Sequence, residues 1–326
     1  MNNSLVDVPG VSVGHAHEAR LASGVTAVLF DPPAVAGIAI LGGAPGVRDT
    51  ALLEPEMTVD RVDALVLSGG SAFGLDAMGG VQAWLSAQGR GFAVGDVRVP
   101  IAPGAILFDL LNGGDKAWGR QPPYWELGYA AAEAAGRAPF ALGTAGAGYG
   151  ATTANLKGGL GTASALTQHG FTIGALAAVN ALGQATVGDG PHFWAAPYER
   201  AAEFGGLGSP VWTPDALRLR LKGDAPATTL AIVASDAALT KAQCKRLALA
   251  AHAGLAHALR PACLAMDGDI VFAASTTRRA APDPRAFAEI CTLAADCLAR
   301  AIARGVYEAR ALPFAGAVGD WRGRFG

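Results

Sequence analysis

Residues 228–234 have the sequence Thr-Thr-Leu-Ala-Ile-Val-Ala, a short apolar run that predicts a buried β-strand. Thr240 follows that strand, and Gln243 comes three residues later, which is the spacing of a capping box at the start of a helix. The helix predicted from there has one apolar face, formed at four-residue intervals by Leu247, Ala251, Leu255 and Leu259. The last hundred residues therefore begin with a strand followed by an amphipathic helix.

The remainder of this segment extends the pattern. Two short apolar runs, 264–266 and 270–274, flank the tripeptide Asp-Gly-Asp at 267–269, an arrangement typical of a β-hairpin. A second helix is predicted to begin at Asp283, with a proline in its first turn, and to end at Gly305. The order strand, helix, hairpin, helix predicts helices packed on one face of a largely antiparallel sheet.

The first two thirds of the chain contain further short elements. Apolar runs separated by glycine and proline predict buried strands at residues 25–30, 35–41, 64–67 and 172–181. Helical patterns occupy residues 72–88 and 127–135. From 197 to 226, proline and glycine interrupt every period, and irregular connections of that length in compact proteins are usually functional, as lids or processing sites. This connection ends just upstream of Thr228.

Composition limits the classes of protein to consider. The chain has 326 residues, 51% of them hydrophobic and 16% charged, so it can bury a large core in one large domain or two small ones. The balance of 25 basic and 27 acidic residues lacks the basic excess that nucleic-acid binding requires. No apolar stretch approaches the roughly 18 to 20 residues of a membrane span, and the N-terminus lacks the features of a signal peptide. We expect a cytoplasmic protein with free thiols that binds neither nucleic acid nor membrane.

Several familiar motifs are excluded by their spacing. Residues 70–74 (Gly-Ser-Ala-Phe-Gly) have one residue too many for a G-x-S-x-G nucleophile elbow, and residues 146–150 do not match a dinucleotide-binding fingerprint. His15 and His17 would point the same way on a strand, but no second pair of ligands accompanies them. We therefore expect no metal and no cofactor. Taken alone, the two aspartates at 267–269 are simply turn residues.

Six segments, in order along nearly the whole chain, resemble one protein family. They are residues 7–15 (DVPGVSVGH), 42–50 (GGAPGVRDT), 67–77 (LSGGSAFGLDA), 156–164 (LKGGLGTAS), 178–180 (AVN) and 228–230 (TTL). The family is that of the P1 or DmpA-type peptidases, which include L-aminopeptidase/D-esterases, β-peptidyl aminopeptidases and endo-type nylon oligomer hydrolases. The chain is most similar to the nylon-hydrolase branch, whose nucleophile is threonine.

The resemblance implies an α+β fold, a four-layer αββα sandwich of the N-terminal-nucleophile hydrolase type, in a single domain spanning 1–326. It also implies that the precursor is cut into a large chain, 1–227, and a small chain, 228–326, and that the protein is a homo-oligomer, a tetramer. In the nylon-hydrolase branch the cut lies within Asn-Thr-Thr, and Ala227 stands at the asparagine position here. The related ornithine acetyltransferases cut between alanine and threonine.

Carried over residue by residue, the resemblance makes Thr228 the nucleophile and Asn180 a side-chain donor to the oxyanion. Asp267 and Asp269 would orient the nucleophile and its amine, and Lys157 would lower the local negative charge; alternatively, Lys157 is a solvent-facing lysine in a glycine-rich loop. A threonine hydroxyl needs a base, and a freed α-amine with a pKa of about 7.7 to 8.0 is suited to that task.

These features predict a self-cleaving amide hydrolase with an N-terminal threonine, acting on small peptides or on ω-amino-acid oligoamides such as 6-aminohexanoate oligomers. One alternative is an aminopeptidase that releases N-terminal α- or β-amino acids. A second is an enzyme that passes the acyl group to an amine, as an acetyltransferase does. A third is an unprocessed, non-catalytic homologue that kept the fold.

Overall fold

The computed structural model describes residues 1–223 and 226–326, so two residues of the predicted connection, Asp224 and Ala225, lie outside the described residues. The strands are β1 (Val11–Glu18), β2 (Ser23–Ile40), β3 (Val47–Arg48), β4 (Arg61–Ser68), β5 (Phe92–Val94), β6 (Val97–Val99), β7 (Gly104–Ile106), β8 (Gly159–Leu166), β9 (Thr172–Asn180), β10 (Thr228–Ala237) and β11 (Ile270–Arg279). The helices are α1 (Ala77–Ala87), α2 (Tyr124–Glu133), α3 (Lys241–Ala251), α4 (Ala253–Ala258), α5 (Pro284–Tyr307) and α6 (Trp321–Phe325).

Most strands belong to one sheet, in the order β3-β7-β4-β2-β11-β10-β9-β8, with β1 paired to β2. Strand β2 joins the two halves of this sheet: residues 25–29 pair with β4, and residues 35–40 pair with β11. The pairing register shifts around Asp31, Pro32 and Pro33. The two strands predicted at 25–30 and 35–41 are therefore one long strand, because the prolines interrupt the pairing without ending the strand.

Three apolar clusters divide the molecule into layers. One lies between the two sheet halves and includes Leu65 and Leu67 of β4 together with Leu176 of β9 and Ile232 of β10. A second packs α3, α4 and α5 on the outer face of the half containing β8 to β11, and a third packs α1 and α2 on the outer face of the other half. The layers follow the order helix, sheet, sheet, helix, as the resemblance implies.

The prediction for the last hundred residues, that helices pack on one face of the sheet, is confirmed, since the apolar face of α3 and the long helix α5 cover the C-terminal half. The helices of the other half lie on the opposite outer face. The predicted capping box is present, since the hydroxyl of Thr240 accepts a hydrogen bond from the backbone N–H of Gln243. The carboxylate of Asp283 caps α5 by accepting hydrogen bonds from two backbone N–H groups.

The hairpin predicted around the Asp-Gly-Asp tripeptide is also wrong. Strands β10 and β11 pair in parallel, with Leu230 opposite Ile270, and α3 and α4 form the crossover between them. Parallel neighbours need such a crossover because a tight turn reverses chain direction. Residues 264–266 form no strand, and Asp267 instead makes an isolated parallel bridge with Ala227. The pairing of β10 and β11 thus places the aspartates beside the start of β10.

Helix α5 is the longest in the described parts of the chain, with 24 residues. None of the described helices has both the length and the apolar character that crossing a membrane requires.

Candidate active site

The junction between Ala227 and Thr228 lies in the interior, where the irregular connection enters β10. Both residues are buried, and the side chain of Thr228 folds back onto the peptide bond that precedes it. Its Oγ1 donates a hydrogen bond of 2.5 Å to the carbonyl oxygen of Ala227, which also accepts one of 2.9 Å from the backbone N–H of Gly268. The carbonyl therefore lies between a hydroxyl and an amide donor, the two groups that a self-cleavage reaction requires.

Gly268 approaches Thr228 so closely that a larger residue would not fit. A Cβ atom added at Gly268 would lie 2.4 Å from Oγ1 of Thr228 and 2.8 Å from the carbonyl oxygen of Ala44. Glycine is required here because the backbone must come within hydrogen-bonding distance of the junction.

Asp267 and Asp269 form a buried acidic pair beside the junction. Asp269 accepts hydrogen bonds from the backbone N–H groups of Thr229 (2.7 Å) and Cys263 (2.8 Å). Oδ1 of Asp267 accepts one from Gly268 (3.1 Å), whereas its buried Oδ2 has no partner within residues 1–223 and 226–326. Two amide donors favour the ionised form of Asp269, so the shared negative charge is assigned to it.

Burial, reinforced by the charge of Asp269, raises the pKa of Asp267 to about 8. Burial also raises the pKa of Asp269, but the N–H groups of Cys263 and Thr229 oppose that shift. Burial disfavours two adjacent charges, so the pair favours a state with one proton, and the two amide donors to Asp269 place that proton on Asp267.

Asn180 ends β9 directly opposite Thr228 in the antiparallel pair of β9 and β10. Its Oδ1 accepts hydrogen bonds from the backbone N–H of Thr152 (3.0 Å) and from Nζ of Lys222 (2.6 Å). Its Nδ2 donates to the carbonyl of Phe108 (2.9 Å), which leaves one amide hydrogen for another acceptor. The contacts to Oδ1 fix the orientation of the side-chain amide.

Lys157 is buried, so its interpretation as a solvent-facing lysine is wrong. Its Nζ donates to three backbone carbonyls, those of Gly148 (3.1 Å), Ala151 (2.8 Å) and Gly158 (2.8 Å). Burial lowers the pKa of this ammonium to about 7, and the charge of Asp109 opposes the shift. Three carbonyl acceptors use all three N–H donors of Lys157, so it stabilises the surrounding glycine-rich loop.

A cavity of about 350 Å³ adjoins this group. Its lining includes Asp109, Thr152, Lys157 and Lys222, and the C-terminal segment 315–318 covers one side. Thr228 is not among the described residues that line the cavity. Asn180 connects the two, because its side chain bonds to three residues of the cavity wall and its backbone pairs with Thr228.

Sequence reasoning missed two charged residues of this cavity. Asp109 is buried and accepts hydrogen bonds from the hydroxyl of Ser23 (2.6 Å) and the N–H of Gly70 (2.8 Å), and burial raises its pKa. Burial lowers the pKa of Lys222 to about 8, a shift that Asp109 and Asp267 oppose. An acidic residue inside the apolar run 105–111 is a signal that could have identified Asp109. Lys222 lies in the irregular connection, where no periodicity marks it.

The structure thus brings Thr228, Asn180, Asp267 and Asp269 together at the ends of adjacent strands, and it places Lys157 in the wall of the neighbouring cavity. Among the described residues there is no cluster of three side chains suited to hold a metal ion.

Comparison with known proteins identifies similar chains. The profile of Peptidase family S58 matches residues 3–318. Uncharacterized aminopeptidases of Mycobacterium bovis and Mycobacterium tuberculosis are each 42% identical over 344 residues, which cover 96% of this chain and 96% of theirs. One from Mycobacterium leprae is 38% identical and covers 95% and 91%.

Solved structures share the fold. A beta-aminopeptidase from Burkholderia sp. superimposes with a TM-score of 0.70 at 23% identity, covering 99% of this chain and 92% of that one. The L-aminopeptidase D-Ala-esterase/amidase of Ochrobactrum anthropi, described as a variant of the Ntn hydrolase fold, gives 0.68 at 22%, covering 95% and 87%. The four-layer arrangement is therefore an Ntn-hydrolase fold, as predicted.

Proposed function

This chain belongs to peptidase family S58, and on that premise we propose that it cuts itself between Ala227 and Thr228 and then acts as an aminopeptidase with Thr228 as its N-terminal nucleophile. The processed enzyme would consist of residues 1–227 and 228–326 in one domain. The mycobacterial relatives are named aminopeptidases, which supports aminopeptidase activity over a preference for oligoamide substrates. Hydrolysis of 6-aminohexanoate oligomers stays a prediction from the resemblance alone.

One observation carries the proposal: the carbonyl of Ala227 lies between the hydroxyl of Thr228 and the N–H of Gly268. In self-cleavage, Oγ1 of Thr228 forms a bond to the carbonyl carbon of Ala227, and the carbon–nitrogen bond between the two residues breaks. The oxyanion of the intermediate would retain the hydrogen bond from Gly268, a type of contact that lowers barriers by about 3 to 4 kcal/mol. Water then hydrolyses the ester, which leaves a carboxylate on Ala227 and a free amine on Thr228.

Proton transfers in this step have a nearby source. The nitrogen of Thr228 leaves as an amine and must gain a proton, and Asp267 holds one at neutral pH because burial and Asp269 raise its pKa to about 8. Once Asp267 has given up that proton, its carboxylate takes the one that the attacking hydroxyl of Thr228 releases, so the step balances. In later turnovers the free amine of Thr228 takes the hydroxyl proton as general base. The second amide hydrogen of Asn180 would then contact the oxyanion formed from the substrate.

Turnover of amine-bearing anilides tests the activity. We expect the purified protein to release p-nitroaniline from L-α- and β-aminoacyl p-nitroanilides and not from their N-acetylated forms, since an aminopeptidase requires a free amine. Thr228→Ala should show no release. Equal turnover of the acetylated and free compounds would contradict the aminopeptidase assignment, and turnover by Thr228→Ala would exclude Thr228 as the nucleophile.

Two controls separate the alternatives. Adding ornithine or glutamate as acceptor distinguishes acyl transfer from hydrolysis, because transfer yields an acylated amino acid where hydrolysis yields the free acid. A chain that stays at 32.9 kDa and turns over no substrate would favour the non-catalytic homologue.

A further inference from the structure

Lys222 extends from the connection before the junction into the wall of the 350 Å³ cavity. We propose that Lys222 is an internal ligand of this cavity, so that in the uncut chain its ammonium occupies the position that a primary ammonium of a ligand takes after cleavage. The proposal rests on the proposed function, and it takes this cavity as the substrate site because the side chain of Asn180 bonds to residues of its wall.

The contacts of Lys222 are those of a bound ammonium ion. Nζ lies 2.6 Å from Oδ1 of Asn180 and 3.2 Å from the carbonyl oxygen of Thr152, and both atoms accept its hydrogen bonds. The carboxylate of Asp109 acts on this ammonium and favours its charged form. Two oxygen acceptors together with the charge of Asp109 are suited to a primary ammonium and provide no partner for a neutral alkyl group.

The receiving groups and Lys222 come from different parts of the fold. Asn180 lies on β9 within the sheet, whereas Lys222 lies outside every strand and helix, six residues before Thr228. Its backbone N–H donates to the carbonyl of Leu182 at 2.9 Å, and the next residue, Gly223, is exposed. Cleavage after Ala227 removes the covalent connection to β10, so Lys222 can leave the cavity while Asn180 keeps its place in the sheet.

Lys157, a structural lysine in the wall of the same cavity, differs from Lys222 in its hydrogen-bond acceptors. Its three acceptors are all backbone carbonyls of the surrounding loop. Lys222 instead donates to the side chain of Asn180, the residue that pairs with Thr228. In the uncut chain, the ammonium of Lys222 therefore occupies Oδ1 of Asn180, an acceptor on the residue opposite Thr228.

Binding of n-butylammonium to uncut protein tests the proposal. Thr228→Ala provides an uncut chain, and Thr228→Ala with Lys222→Ala removes the internal ammonium together with its alkyl stem. By isothermal titration calorimetry, we expect the double variant to bind n-butylammonium at least about tenfold more tightly than the single variant. Neutral n-butanol should bind neither protein, because it cannot replace the charge.

A control variant and a second measurement complete this test. Thr228→Ala with Lys245→Ala removes a surface lysine that pairs with Glu54 and should match the single variant. Equal binding of n-butylammonium by the single and Lys222→Ala double variants, or no binding by either, would overturn the proposal. If the double variant fails to fold, cut wild-type protein replaces it, and n-butylammonium should raise KM for a free-amine anilide without changing kcat. Failure of self-cleavage would contradict the proposed function and leave the calorimetric comparison valid, since Thr228→Ala is uncut by design.

Discussion

At the scale of single residues, the chemistry depends on which hydroxyl faces the junction. Thr228 and Thr229 are adjacent and both buried, but their environments differ. Oγ1 of Thr228 contacts the carbonyl of Ala227 at 2.5 Å, whereas the buried Oγ1 of Thr229 has no partner in the described ranges of the chain. Of the two threonines, only Thr228 has its hydroxyl in contact with the carbonyl of its own preceding peptide bond, as the proposed self-cleavage requires.

Replacing each of the two threonines in turn tests this distinction. Thr228→Ala should abolish both fragment formation and anilide turnover, and Thr228→Ser, which keeps the hydroxyl, should retain both. Thr229→Val, a near-isosteric control that removes a hydroxyl without a partner, should form fragments at a rate within about twofold of wild type. Gel electrophoresis and mass spectrometry give the rates. Loss of processing in Thr229→Val together with normal processing in Thr228→Ala would show that Thr229, and not Thr228, is the nucleophile.

The acidic pair predicts a pH dependence of stability. The pKa of Asp267 rises from 3.8 to about 8 on folding, so the folded state binds more protons than the unfolded state between these values. The group's contribution to stability is therefore complete below about pH 4 and is lost as pH rises through about 8. In uncut Thr228→Ala protein, adding Asp267→Asn should make the free energy of unfolding less dependent on pH, by at most about 1.4 kcal/mol per pH unit.

Urea denaturation at pH 5, 6, 7 and 8 measures this dependence. The control is Asp60→Asn, which alters an exposed carboxyl just before β4 and should leave the slope unchanged. A steeper fall of stability with pH in Asp267→Asn would contradict a protonated Asp267.

At the scale of elements, the turn that leads into β11 packs directly against the start of β10, and only a residue without a side chain fits at position 268 of this turn. Gly268→Ala would place a Cβ atom 2.4 Å from Oγ1 of Thr228, the proposed nucleophile. We expect self-cleavage to slow at least about tenfold, because the hydroxyl or the amide donor must move. Gly136→Ala is the matched control, since a Cβ atom there meets nothing within 4 Å. Cleavage by Gly268→Ala at the wild-type rate would show that this close approach does not matter.

Helix α5 is fixed to the sheet by a buried ion pair. Arg300 donates to Glu203 at 2.5 Å and to the carbonyl of Ser164 on β8 at 3.0 Å. Arg300→Met leaves Glu203 with Arg304, at 3.5 Å, as its remaining cation, so we expect a loss of up to about 3 kcal/mol in the free energy of unfolding. Arg285→Met, at an exposed position of the same helix, should change stability by less than about 0.5 kcal/mol. Equal losses in the two variants, measured by urea denaturation, would count against the ion pair.

Elements whose signals are local could be predicted from the sequence. The capping box at Thr240, the strand 228–234 and the helix after Asp283 depend on residues within a few positions of one another, and all three are present. The parallel pairing of β10 and β11 could not be predicted, because partner choice depends on residues about 40 positions apart.

The candidate site divides in the same way. Thr228, Asn180 and the two aspartates were found through the resemblance, since no local pattern joins residues on β9, β10 and the turn before β11. No sequence pattern marked Lys222 as a site residue, because it contacts Asn180, which lies 42 positions earlier in the chain.

At the scale of the whole molecule, the proposed cut falls within one continuous sheet. Strand β10, which would begin the small chain, pairs with β9 of the large chain along eight positions, and β11 pairs with β2. After cleavage the two chains should stay associated through these pairings and the shared apolar clusters, and they should co-elute in size-exclusion chromatography without denaturant. Separate elution of the fragments under native conditions would contradict a shared domain. Assembly into a tetramer stays a prediction from the resemblance.

The central claim is that this chain generates its own nucleophile, and intact-mass spectrometry of freshly purified protein during incubation tests it most directly. We expect the 32.9 kDa species to be replaced by two fragments whose masses sum to that of the chain plus one water, the smaller beginning at Thr228. A chain that turns over free-amine anilides while its mass stays at 32.9 kDa, or one cut at any bond other than that between Ala227 and Thr228, would contradict it.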